Sequence, residues 1–171
     1  SGTLTANYFG DDHFNLSSDT ESHTVNKANS LTTITSDLPD ASVFGQDYTV
    51  NFSVTAVDPG AGTPSGTVTI SDGENSCQPV TLEDGSGSCE LPSTSVGGKT
   101  LTATYIGDDH FNLSSDTESH TVNKADSDIT ITSDEPDASV FGEDYTVRFS
   151  IAAVSPGAGT PSGTVLISDG V

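Results

Sequence analysis

LTANYFGDDHFNLSSDTESHTVNKA, residues 4–28, returns 97 positions later as LTATYIGDDHFNLSSDTESHTVNKA, residues 101–125, with only Asn7/Thr104 and Phe9/Ile106 changed. Outward from that stretch the spacing holds. Thr33–Gly73 comes back as Thr130–Gly170, so the whole chain is one pattern of period 97. A repeat of this length is the size of one β-sandwich domain. Residues 29–125 then make one complete repeat, 1–28 the C-terminal strands of a preceding one and 126–171 the N-terminal strands of a following one. Both ends fall inside a repeat, so the chain reads as a window on a longer array. Each end segment is expected to lack order in isolation, because its apolar face and strand edges have no partner.

Composition points to β structure throughout. Of 171 residues, 32% are hydrophobic, Met and Trp are absent, and Gly, Ser, Thr, Asp and Val dominate, which suits short strands and tight turns. No window sustains a 3.6-residue period. Positions that differ between copies mark the surface: Leu31/Asp128, Leu38/Glu135, Asn51/Arg148 and Asp58/Ser155 are expected to face water. Ile34, Val50, Phe52, Val68 and Ile70 alternate with polar neighbours and are the core candidates.

In the complete repeat, strands are predicted over 32–36, 48–57, 66–71, 80–82, 88–91, 99–106 and 118–123. Pro39 and the 58–64 loop break pairing, and Asp84-Gly85 signals a tight hairpin between the fourth and fifth strands. Seven strands with regular turns close as a sandwich, a barrel being the alternative.

Ser65-Gly-Thr-Val-Thr-Ile-Ser-Asp-Gly73, the Cys77 and Cys89 pair, Lys99-Thr-Leu-Thr-Ala-Thr-Tyr-Ile-Gly-Asp108 and the Thr121-Val-Asn-Lys-Ala125 junction resemble the bacterial Ig-like repeats of group 3, found in arrays in large surface proteins. With the partial copies the resemblance covers the whole chain. It implies an all-β chain of tandem immunoglobulin-like sandwiches on the bacterial exterior, a stalk that holds an adhesive tip or ligand away from the cell, and no catalytic residues. Tyr105 is placed like the tyrosine that braces a sandwich corner. A half-buried ring with its hydroxyl in water is the competing expectation.

Cys77 and Cys89 are the only cysteines. Flanking the expected hairpin, they are read as a disulfide across neighbouring strands of an exported protein, against two reduced thiols in a cytosolic one. Two Cys with no nearby His do not make a zinc set. His13/His110 and His23/His120 recur in acidic, Ser-rich surroundings; solvated loop histidines are expected, and no enzymatic activity, since no nucleophile elbow is present. Asp37 with Asp40, Asp108 with Asp109, and Asp126 with Asp128 place carboxylates in loops and at a junction, where a structural calcium is the one cofactor considered. No Asp-x-Asp-x-Asp-Gly loop accompanies them. Asn15, Asn51 and Asn112 head Asn-x-Ser triplets, a weak glycosylation signal.

Twenty-five acidic against four basic residues give a net charge of −21, which argues against nucleic acid and anionic membranes as partners. No apolar run is long enough for a membrane helix. The expected partners are neighbouring repeats or head-to-tail copies, and a cell-surface or matrix ligand. The functions weighed are an extracellular spacer, a subunit of a head-to-tail filament, and a glycan- or protein-binding module working through the 58–64 or 106–113 loops.

Overall fold

The structure is a computed structural model and describes residues 1–170. Strands dominate the described residues, and no helix is present among them. Within residues 29–125, β3 (Ser30–Leu38), β5 (Tyr48–Ala56) and β8 (Ser86–Leu91) form one antiparallel sheet in the order β3-β5-β8. The other sheet has the order β4-β10-β9-β6-β7, from β4 (Ser42–Val43), β6 (Thr67–Ser71), β7 (Val80–Thr81), β9 (Gly97–Tyr105) and β10 (Ser114–Asn123). The two sheets form a sandwich, closed by the period-2 alternation of their strands. β5 buries Tyr48, Val50, Phe52 and Val54 from one sheet, and β9 buries Leu101, Ala103 and Tyr105 from the other. Ile34, Val68 and Ile70 join them, so all five expected core positions are inside. Leu31, Leu38 and Asp58 lie at the surface as their variation predicts, while Asn51 is partly buried and donates to Ser36 Oγ.

Two features depart from the sequence reading. The Asp84-Gly85 turn forms as its chemistry demands, with both residues at positive φ (49° and 76°) and Glu83 and Ser86 exchanging backbone hydrogen bonds. The flanking strands nevertheless do not pair as a hairpin. β7 joins β6 through Val80↔Val68, whereas β8 crosses to β5 through Cys89↔Val50, so the turn carries the chain from one sheet to the other. The second departure is β4, which the sequence reading lacked. Its two residues pair in parallel with Val122 and Asn123 at the end of β10.

The end segments, expected to be unordered alone, form two ladders: β1 (Gly2–Tyr8) with β2 (Ser17–His23), and β11 (Ser127–Glu135) with β12 (Thr146–Ala153). Local antiparallel pairing satisfies their inner backbone groups. Their apolar faces remain open: Leu4, Tyr8, Ile129, Ile131, Phe149 and Ile151 are exposed, and Val165 is partly buried. β11–β12 reproduces β3–β5 in register, down to the β-bulge, which lies between Ile34 and Ser36 in one and between Ile131 and Ser133 in the other.

Candidate functional site

Strict alternation along β3 would send Asp37 outward with Leu31, Thr33 and Thr35. The bulge after Ile34 inserts one residue and turns Asp37 inward, to the foot of β10. There His120 shares the inward face with Val122, two residues on. Its Nδ1 lies 2.5 Å from Asp37 Oδ2 and its Nε2 2.8 Å from Ser42 Oγ, which in turn lies 2.7 Å from Ser93 Oγ. Tyr48 stacks on the imidazole at 4.0 Å between ring centroids and donates from its hydroxyl to Asp72 at 3.2 Å. Burial, then the Asp72 carboxylate, hold that phenol well above its ordinary range.

His120 is therefore a core residue, contrary to the solvated loop position expected for it; His13, His23 and His110 are exposed. The Asp–His–Ser order has the connectivity of a hydrolase triad, but Ser42 is fully buried and its oxygen is shared with Ser93. The chain of hydrogen bonds joins β3, β4, β10 and the 92–96 connection, so its chemistry is that of a polar clamp inside the core.

The carboxylates considered for calcium separate into two kinds. Asp37 is spent on His120. Asp108 folds the 106–113 loop: Oδ1 accepts from the His110 and Phe111 N–H groups at 2.7 and 2.8 Å, and Oδ2 from the N–H and hydroxyl of Ser65 at 2.8 and 2.7 Å. Desolvation by itself would raise its pKa, but these four donors outweigh it and hold the carboxyl well below the usual range. Asp40, Asp109, Asp126 and Asp128 are exposed. Among the described residues no group of three or more His, Cys, Asp or Glu is placed to hold a metal ion.

The Tyr105 hydroxyl is buried beside this carboxylate, with no partner in good hydrogen-bonding geometry. Burial first, and Asp108 second, push it up to about 12. In the 1–28 segment the equivalent Tyr8 hydroxyl does donate to Asp11 Oδ2, at 2.8 Å. In the complete repeat Asp108 Oδ2 is instead engaged by Ser65. Because the folded carboxyl titrates below its unfolded value, its stabilisation is full above about pH 4 and is lost as the pH falls through the lowered value. Replacing Asp108 by alanine should lower stability by about 1–3 kcal/mol at neutral pH and flatten the loss of stability in acid; urea unfolding from pH 7 to 2.5 checks both.

Cys77 and Cys89 are joined, with Cα atoms 6.3 Å apart. They do not face each other across one hairpin. Cys89 lies on β8, and Cys77 on the connection after β6, where its N–H donates to the Ile70 carbonyl at 3.1 Å. The disulfide therefore staples one sheet to the other.

The junctions between segments are built alike. Ala28 donates its N–H to the His110 carbonyl and accepts from Asn112 N–H, both at 2.8 Å, and Lys27 donates to the Asp108 carbonyl. Ala28 also packs so closely on Gly60 that a Cβ there would lie 2.4 Å from the Ala28 Cβ; Ala125 meets Gly157 at the same 2.4 Å. Phe111, a loop aromatic that could have served a binding face, is buried near Gly62. The Phe44 carbonyl accepts from the Ala158 N–H at 3.2 Å, which seats the Phe44–Gly45 corner on the 158–159 loop; neither Phe44 nor Ser93 stood out in the sequence, because the pairing that brings each into use is long-range.

The model of the bacterial Ig-like domain (group 3) family matches residues 34–123, more than half of the chain. No curated protein matches the chain.

Proposed function

The chain belongs to the group 3 bacterial Ig-like domain family, and from that premise we propose that it is a structural spacer in an extracellular bacterial surface protein or fibre, built of tandem repeats with boundaries near residues 28 and 125. The observation that carries this reading is where the polar chemistry goes. Asp37, Ser42, Ser93, His120 and Asp108 are all consumed in holding the sandwich together, and the disulfide ties its sheets. A spacer held under tension needs that internal bracing and no substrate site, so we assign it no catalytic role and no required cofactor. The excess of acidic residues supports an exterior location, where copies repel one another and stay soluble. No helix of the described residues is long and apolar enough to cross a membrane.

Force spectroscopy on the chain held by its ends tests the spacer role. One main unfolding event is expected. Reduction should lengthen its contour by about 4 nm, since the disulfide hides a separation of 12 residues at about 3.6 Å each. Extension at low force without any such event would rule the role out.

A further inference from the structure

β10 ends at Asn123 and β11 begins at Ser127, so only residues 124–126 separate the complete sandwich from the segment that follows it. Backbone hydrogen bonds shorten that connection further. Asn123 accepts from the Phe44 N–H at 2.9 Å on the sandwich side, and Asp126 accepts from the Val154 N–H at 2.9 Å on the other. Lys124 and Ala125 stand between them, and Ala125 is pressed on Gly157, where an added Cβ would lie 2.4 Å from the Ala125 Cβ. So short a connection is a pivot, and a pivot alone leaves the bodies on either side free to swing about it.

The Phe44–Gly45 corner meets the same loop at a second point. Four hydrogen bonds build the corner into the sandwich. The Gln46 N–H donates to the Val43 carbonyl at 2.9 Å and the Val43 N–H to Gln46 Oε1 at 3.2 Å, while the Phe44 N–H reaches Asn123 and the Gly45 N–H reaches the Ser93 carbonyl, both at 2.9 Å. Gly45 takes a left-handed φ of 81°, and its lack of a side chain lets the loop in: a Cβ there would fall 2.6 Å from both the N and the O of Ala158. From the other body, a Cβ on Gly159 would fall 3.1 Å from the Phe44 ring. The Ala158 N–H completes the contact on the Phe44 carbonyl. Rotation about Ala125 that drives the loop into the corner therefore meets backbone overlap. Rotation the other way breaks that hydrogen bond and uncovers the face of Phe44 that Gly159 packs on.

We propose that the Phe44–Gly45 corner is an orientation lock, which fixes the angle between residues 29–125 and the 126–171 segment and makes the chain stiff at this junction. The proposal rests on the spacer reading, in which the two bodies are successive repeats, and it gives that spacer a defined reach. Stiff joints add the lengths of successive bodies, whereas free joints let the end-to-end distance grow only as the square root of their number.

Distances between nitroxide labels on the full chain test this, with the labels on Glu118→Cys and Ser150→Cys. Both sites are exposed, and Cys77 and Cys89 are joined and take no label. The otherwise unsubstituted chain should give one narrow distance distribution. Gly45→Asn keeps a residue that tolerates the left-handed φ while its Cβ blocks the seat of Ala158. Gly159→Asn crowds the Phe44 ring from the other body, so it decides the matter if Gly45→Asn lowers the thermal unfolding of the sandwich. Each variant should broaden the distribution about twofold or more, as expected when a short linker alone joins the bodies. A distribution already that broad without either substitution would overturn the proposal, as would a narrow one that survives in a variant whose sandwich melts normally. Either result leaves the spacer reading standing, because a flexible spacer still shows the unfolding event under force.

Discussion

Replacing His120 by alanine is expected to lower the stability of the complete sandwich by about 3–5 kcal/mol, the cost of breaking a buried hydrogen-bonded pair and leaving its partner behind. The loss has three parts: the Asp37 carboxyl is stranded in the core, Ser42 loses one of its two side-chain partners, and Tyr48 loses the ring stacked on it. Domains of this size have about 5–15 kcal/mol in all, so the midpoint of thermal unfolding should fall by well over 10 °C. The full chain followed by urea and thermal denaturation provides the measurement. Replacing Asp37 and His120 together by leucine should recover much of the loss, since removing both partners strands neither. A cost under about 1 kcal/mol for the alanine variant would mean that the clamp does not hold the sheets.

Opening the Cys77–Cys89 bond should cost about 3 kcal/mol, the loop-closure estimate for the 12-residue separation it spans. Residues 29–125 expressed alone should unfold in one cooperative transition whose midpoint drops with reductant. The Cys77→Ser/Cys89→Ser variant should match the reduced protein and ignore reductant. The effect is expected to exceed that of an ordinary surface change because the staple joins the two sheets: β8 is held to β5 on one side, and the Cys77 segment to β6 on the other. A single transition indifferent to reductant would show that sheet packing alone keeps β8 in place.

These expectations rest on parts of the molecule that the sequence disclosed unevenly. Val50, Phe52 and Val54 announced their common face because alternation is a property of one strand and needs no partner. Asp84-Gly85 announced its turn for the same local reason, yet the destination of the strands on either side was misread as a hairpin. Whether β8 returns along β7 or crosses to β5 is decided by which sheet edge can bury Cys89 and Leu91, a long-range matter. The carboxylates show the same division. Asp108 followed by His110 and Phe111 is a self-contained loop, but its fourfold engagement depends on Ser65, 43 residues away.

By itself the sequence disclosed the return of residues 4–28 at 101–125, the all-β character, the core faces and the cysteine pair, because repetition, alternation and turn preference are written along the chain itself. Only the tertiary structure decided that His120 is a core clamp and that Phe44 is a seated corner. One extra residue in the β3 bulge reverses the facing of Asp37, and a two-residue parallel strand delivers Ser42, so the contacts that define both features join positions with no regular spacing along the chain.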